Sequence, residues 1–234
     1  MSNLNKNMFK DNFDGKWLDL LWPFLSSDKM VANFNAIKGK KSFSVVYPSF
    51  EDCFRAFRIT PWDDVRVVVV GQDPYHDGSA DGLAFSASRS IKCPPSLANI
   101  ILEVERDCYN GLNLERACNY DLSGWAKQGV LLLNTAFTVE KKNPGSHKQY
   151  WEDFTKEVFR LLREEKQGVI YLLWGNHAKN YRQYISEKLN YILEAGHPSP
   201  LNTTHPFKGC KHFSKTNEII EQNNGLELCI DWGK

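Results

Sequence analysis

The run Val65-Arg66-Val67-Val68-Val69-Val70 breaks directly into Gly71-Gln72-Asp73-Pro74-Tyr75-His76. A β-branched run of this length that ends in glycine reads as a strand of a parallel sheet, buried on both faces and entering a turn. In open α/β sheets, ligands gather at the carboxyl ends of the strands. The turn supplies a carboxylate, a stiffening proline, an aromatic ring and an imidazole at that position. A structural loop could hold any one of these residues; the set together points to a site.

Three further apolar runs read as strands, Val130–Leu133, Val169–Trp174 and the weaker Tyr191–Ala195. Helical periodicity fills the intervals. Ser96 is expected to cap a helix running to about Cys108, closed near Gly111. Tyr150, Phe154, Val158, Leu161 and Leu162 share one helical face ahead of Gly168. A third helix is expected from about Ala178 to Leu189, and Ser214 is expected to cap a last one through Gln222. Ser49 with Asp52 reads as a capping pair for a short helix before the first strand. This alternation implies an α/β fold, a single domain with a central four-stranded parallel sheet and helices on both faces. Residues 1–12 are mostly polar and are expected to be a loose segment ahead of a domain spanning 13–234.

All four strands then end on one edge, and each runs out into polar, turn-forming residues. The first strand leads to Gln72 and Asp73, the second to Asn134-Thr135, the third to Gly175-Asn176-His177, and the fourth to Gly196-His197-Pro198-Ser199-Pro200-Leu201. Residues distant in sequence thus converge on one place.

Bulk properties narrow the chemistry. At 234 residues with 42% hydrophobic and 13% aromatic content, the chain can bury a sizeable core. A net charge of +1 gives no global field for nucleic acid, so local clusters matter more. Lys208, Lys211, His212 and Lys215 follow His205 with no acid among them, and Lys141, Lys142, His147 and Lys148 form another basic stretch. A third, Lys38 with Lys40 and Lys41, reads as solvated surface. The six cysteines (Cys53, Cys93, Cys108, Cys118, Cys210, Cys229) show no CxxC pair, so no zinc or iron–sulfur site is expected. With no signal peptide and no long apolar segment, reduced thiols and an intracellular location are expected: cytoplasmic in a bacterium, nuclear in a eukaryotic or viral setting. No membrane association is expected.

Asp73 and His197 form the leading catalytic pair, since a carboxylate and an imidazole can divide acid, base and electrostatic duties. Their structural alternatives are a turn-capping Asp and a packed loop His. No GxSxG elbow, P-loop or GxGxxG is present, so neither a serine nucleophile nor a nucleotide cofactor is indicated. Asp73, His76, Asp77 and Asp81 could supply metal ligands, but the stiff Pro-Tyr insertion would arrange them poorly around one ion. Pro94-Pro95-Ser96 makes a rigid loop at a helix N-terminus suited to gripping phosphate. In His197–Leu201 a stiff loop carries a hydroxyl and then a leucine that could enter a base stack. A helix cap and ordinary core packing are the alternatives for Ser96 and Leu201.

From about Trp17 onward the chain resembles the family 1 uracil-DNA glycosylases. The resemblance is carried by Gly71–His76, Gly82-Leu83-Ala84-Phe85-Ser86, Pro94-Pro95-Ser96-Leu97, Leu131-Leu132-Leu133-Asn134-Thr135 and His197–Leu201. The segment Phe207-Lys208-Gly209-Cys210-Lys211-His212-Phe213-Ser214-Lys215-Thr216-Asn217-Glu218 matches as well. The first and fifth of these, in this order and separation, are highly specific; the Pro-Pro-Ser loop alone is weak.

The resemblance implies hydrolysis of the N-glycosidic bond of deoxyuridine in DNA, with the nucleotide flipped out of the stack. It gives Asp73 the task of stabilising the cationic sugar and orienting water, and His197 that of hydrogen-bonding the uracil oxygen that gains charge. By the same resemblance Asn134 reads the uracil edge, Tyr75 excludes the thymine methyl, Phe85 stacks on the base, and Gln72 lines the uracil site. Ser96 and Ser199 would pinch phosphates and Leu201 would fill the vacated stack, with His76 in support. The chain departs from the family pattern in a shorter Asp77–Gly82 stretch and in Asn202 and Asn176, which stand where serines are usual, so altered DNA contacts are expected. The expected partner is uracil-containing DNA, single- or double-stranded, bound by a monomer without cofactor or metal; a protein inhibitor or replication partner is left open. A non-catalytic DNA-binding or replication-accessory protein on the same fold is the alternative function.

Overall fold

The computed structural model describes residues 4–40, 44–111, 120–202 and 206–234. The strands are β1 (Val46–Tyr47), β2 (Val67–Gly71), β3 (Val130–Asn134), β4 (Val139–Glu140), β5 (Ile170–Trp174) and β6 (Tyr191–Ala195). The helices are α1 (Gly15–Leu25), α2 (Asp28–Lys40), α3 (Arg55–Ile59), α4 (Pro95–Cys108), α5 (Ser123–Ala126), α6 (Lys148–Glu165), α7 (Gly175–Lys179) and α8 (His212–Asn224). Four strands form one parallel sheet in the order β3-β2-β5-β6. Every residue of β2, β3 and β5 is buried. Successive side chains point to opposite faces of a strand, so both faces of the sheet are covered, as the unbroken apolar runs require. The register pairs Gly71 with Asn134 and Trp174 with Ala195, which brings all four carboxyl ends to one edge.

α6 forms because Trp151, Phe154, Thr155, Val158, Phe159, Leu161 and Leu162 repeat at helical spacing and are all buried. Each large apolar side chain buried this way contributes about 1.5–3 kcal/mol. This helix packs against α1 and α2, while α4 packs against α8.

Several local expectations are corrected. Residues 4–12 pack onto the domain: Lys6–Phe9 is a 3-10 turn capped by the Asn5 side chain, and Phe9 is buried against the rings of Phe13, Trp22, Phe34, Phe50 and Phe54. One large ring suffices to anchor a segment that is otherwise polar. The helix expected over 178–189 is instead α7 followed by a 3-10 segment, Asn180–Tyr184. At three residues per turn Tyr181 and Tyr184 share a face, and both rings lie on Phe159, at 5.0 and 6.3 Å.

Ser96 lies inside the first turn of α4, because Pro94 takes the cap position and Pro95 starts the helix. Ser214 is likewise inside α8, whose cap is Lys211 in a left-handed conformation. The free N–H groups of that turn, on Phe213 and Ser214, donate to Asp107 of α4 at 3.0 and 2.8 Å. Ser49 does pair with Asp52, its hydroxyl donating at 3.1 Å, but in the turn that precedes α3. A small antiparallel pair, β1 with β4, adds to the expected strands.

Candidate active site

The β2 and β3 ends are locked together by backbone chemistry. The Gln72 carbonyl accepts from Thr135 N, Ala136 N and the Thr135 hydroxyl, at 3.1, 2.9 and 2.8 Å. Gly71 faces Asn134 so closely that an added Cβ would lie 2.4 Å from Asn134 Oδ1 and 2.9 Å from Ala84 Cβ. Only glycine leaves room there for the Asn134 amide, which is 6% exposed. The Gln72 side chain itself projects into solvent.

Asp73 is partly buried, and Oδ2 accepts the Gly145 N–H at 2.6 Å. Burial raises its pKa above the ordinary carboxylate value; the Gly145 N–H and the charge of His76 pull the other way. His76 Nδ1 is buried with no hydrogen-bond partner among the described residues.

Tyr75 hydroxyl donates to the Phe85 carbonyl at 3.4 Å, and burial pushes its phenol far up. Phe85 holds a left-handed backbone (φ 64°), a rare state for an aromatic residue. The loop that imposes it is organised by Asp81. Its carboxylate accepts from Ser86 Oγ (2.7 Å), Ser88 N (3.0 Å) and Leu83 N (3.2 Å), and pairs with Arg55 at 3.1 Å. The Phe85 ring consequently stands 5.6 Å from Trp174 and 6.0 Å from His197, centroid to centroid.

These engagements also bear on the metal alternative. Asp81 is buried among its own donors, and Asp77 Oδ1 accepts from Ser79 N and Ser79 Oγ at 2.9 and 2.6 Å. Among the described residues no three His, Cys, Asp or Glu side chains are grouped to hold an ion. In the shortened 77–82 stretch both acids are thus occupied within the loop. Gly78 and Gly82 supply its positive φ values of 104° and 94°.

At the β6 end, His197 Nδ1 accepts the Ser199 N–H at 3.0 Å. A backbone N–H can only donate, so Nδ1 carries a lone pair and the proton of the neutral ring sits on Nε2. Burial lowers the pKa and favours this neutral form. His197 is approached by Gly175 (φ 87°) at the start of α7, where an added Cβ would lie 2.8 Å from His197 Cβ and 3.3 Å from the ring. Asn99 of α4 donates to the Pro198 carbonyl at 2.7 Å, Leu201 N to Ser199 Oγ at 3.2 Å, and Asn202 Nδ2 to the His197 carbonyl at 3.1 Å. Asn202 therefore braces the loop. Leu201 projects from it with 90% of its surface exposed.

Ser96 opens α4 on the same helix as Asn99, and Asn176 is exposed at the start of α7. His205, which opens the basic stretch, lies outside the described residues, as does Cys118.

Glu103, Asp107 and His177 also hold the site from outside the motifs. Glu103, 2% exposed, accepts from Gly209 N and Lys211 N at 2.7 and 3.1 Å, and with Asp107 fixes the segment leading into α8. An acid on the apolar Leu97–Ile100–Val104 face of a helix is the sequence signal that marks it. The Thr135 hydroxyl donates to the Gln72 carbonyl, so at 2.7 Å it must accept from His177 Nε2. That bond ties α7 to the same corner.

Comparison with known proteins agrees with this geometry. Residues 57–221 match the model of the uracil DNA glycosylase superfamily. The uracil-DNA glycosylase of Campylobacter lari is 48% identical over 189 residues, covering 80% of this chain and 80% of that protein. That of Histophilus somni is 44% identical over 197 residues, covering 83% and 86%. A mimivirus uracil-DNA glycosylase crystal structure superposes with a TM-score of 0.83 at 26% identity, covering 95% of this chain and 87% of that one. A mimivirus UNG variant in complex with UGI gives 0.85 at 25% identity, covering 97% and 91%. A strand-end carboxylate, a buried amide beside a glycine and a neutral imidazole on one sheet edge thus accompany a family match over most of the chain, which belongs to the uracil DNA glycosylase superfamily and is a DNA repair enzyme that excises uracil.

Proposed function

We propose that Asp73 and His197 carry the bond-breaking step on a uracil flipped out of the DNA. As the glycosidic bond lengthens, the sugar becomes cationic and the base anionic. Partial burial strengthens the field of the Asp73 carboxylate at the sugar, and the same carboxylate orients the attacking water. His197 donates its Nε2–H to the uracil oxygen that gains charge, and a neutral imidazole suffices for that. The observation that carries this reading is the Ser199 N–H on His197 Nδ1, which leaves Nε2 as the donor.

Asn134 reads the base edge; cytosine reverses the donor–acceptor pattern and leaves buried polar groups mismatched at about 1–3 kcal/mol each. Tyr75, held against the Phe85 carbonyl, fills the space of a thymine methyl and rejects thymine by clash. Phe85 stacks on the base, and Gln72 lines the approach with its backbone. Ser96 and Ser199 take the flanking phosphates. The Ser199 oxygen already accepts the Leu201 N–H, so its own O–H is the donor offered to phosphate. Leu201 fills the gap left in the stack. Asn176 contributes a surface amide to the DNA, whereas Asn202 acts chiefly through the loop, and His76 supports Asp73 by charge.

Uracil-containing DNA is the substrate of the family, and we propose a monomer acting on it in either strand state, inside the cell. A protein partner is proposed by analogy with the mimivirus variant in complex with UGI. The test is release of free uracil from a single-deoxyuridine oligonucleotide in excess EDTA. Full release supports the reading. Loss of release with EDTA would restore a metal mechanism, and no release under any condition would contradict catalysis by this site.

A further inference from the structure

β4 ends at Glu140, and the chain reaches α6 through Lys141-Lys142-Asn143-Pro144-Gly145-Ser146-His147. This polar loop is fixed along its length. At its root, beside the β1–β4 pair, Lys141 N donates to the Val45 carbonyl at 2.7 Å. Asn143 N donates to the Glu140 carbonyl at 3.1 Å, and Ser146 Oγ accepts the Glu140 N–H at 2.9 Å, closing the loop on itself. At its far end His147 is fully buried, with Nδ1 2.8 Å from Thr138 Oγ1. Trp151 Nε1 donates to that same oxygen at 2.7 Å, so one hydroxyl holds both rings.

So anchored, the loop holds two left-handed positions, Lys142 at φ 58° and Gly145 at φ 76°. Both turn a backbone N–H toward the catalytic turn. Lys142 N donates to the His76 carbonyl at 3.0 Å, and Gly145 N to Asp73 Oδ2 at 2.6 Å. A backbone donor neither titrates nor swings away as a side chain can. We infer that residues 141–147 are a positioning clamp for Asp73, in which the Gly145 amide fixes one carboxylate oxygen and leaves Oδ1 for the sugar. The inference rests on the role proposed for Asp73.

The clamp also acts on the charge state of Asp73. Burial disfavours its ionised form and the Gly145 N–H favours it. The titratable groups around this corner are His76 in the same turn, Lys141, Lys142 and Lys148 on the loop and helix bearing Gly145, and His177 and His197 beyond β5 and β6. Of these, His76 is the one whose charge acts on the carboxylate. Loss of the N–H therefore raises the Asp73 pKa, and the acid limb of the rate profile moves to higher pH.

Gly145→Ala and Gly145→Val test this, because no atom lies within 4 Å of an added Cβ and the change acts through the backbone at positive φ. Single-turnover rates on a deoxyuridine duplex should fall by about tenfold for Ala and further for Val, with KM unchanged within about twofold. The acid limb should shift upward in both. A merely structural loop would lower Tm and leave that limb in place. Should the valine variant fail to fold, replacing Gly145 by glycolate, which swaps only the amide N–H for an ester oxygen, gives the same readout. An unmoved acid limb in the alanine and ester variants would overturn the clamp. Asp73→Asn is run alongside. If it turns over at the wild-type rate, the role of Asp73 itself fails; if it is inactive while the Gly145 variants match wild type, the clamp alone fails.

Discussion

The backbone N–H of Ser199 donates to Nδ1 of His197 at 3.0 Å, and this contact decides which face of the imidazole can act. The loop that carries the exposed Leu201 thereby sets the tautomer of the residue proposed to meet the uracil oxygen. A neutral ring with its proton on Nε2 is expected at neutral pH, since burial lowers the His197 pKa. Nitrogen NMR of labelled imidazoles checks it; an imidazolium signature for His197 at neutral pH would refute the assignment.

Gly71 and Asn134 are register partners, and the amide fits only because position 71 lacks a Cβ. Gly71→Ala should displace the Asn134 side chain and lower kcat/KM on uracil by about ten- to a hundredfold, the cost of one mispaired buried polar group. Steady-state kinetics on a deoxyuridine oligonucleotide read this directly. Wild-type kinetics in this variant would mean that Asn134 does not read the base from its position beside β2.

Tyr75 is bonded to the Phe85 carbonyl, in a loop that the Asp81 carboxylate fixes. Its ring is therefore held in place and cannot swing aside for a methyl group. Tyr75→Ala should make thymine release from ordinary DNA detectable by chromatography. A variant that stays specific for uracil would show that another group excludes the methyl.

His212 is buried, accepts the Trp174 Nε1–H at 3.0 Å, and has its pKa lowered from 6.5 to about 4. Below its ordinary value the unfolded chain takes up a proton that the folded chain refuses. Stability present at neutral pH is therefore lost as the pH falls from about 6.5 toward 4, on the order of 2 kcal/mol by pH 5. His147, His177 and His197 are shifted the same way and add to the loss. Chemical denaturation at pH 7 and pH 5 should show the drop in wild type and a smaller one in His212→Gln. Equal drops in the two proteins would remove His212 from the account.

Much of this molecule is legible in the chain because burial on both sheet faces writes itself as unbroken apolar runs. Tyr191–Ala195 is legible to the residue even though it is an edge strand and partly exposed. Side chains with chemistry at strand ends are legible for the same reason: strands of one parallel sheet must end together. The features that stay hidden are held by backbone groups or by distant partners. The Gly145 N–H on Asp73 has no side-chain signature, and β1 and β4, two residues each, are too short to show a period. The α8 start is hidden because its free N–H groups go to Asp107, a hundred-odd positions upstream, instead of to Ser214. The helix expected over 178–189 gives way because two tyrosines pack on Phe159 at 3-10 spacing.

We propose that the carboxylate at the end of β2 drives bond cleavage without being needed to hold DNA. Single-turnover uracil release and DNA affinity, measured together for Asp73→Asn, test it most directly. The rate should fall by about a thousandfold or more, with Kd for deoxyuridine DNA within a few-fold of wild type. A rate equal to wild type, or a loss accounted for wholly by weakened binding, would contradict it.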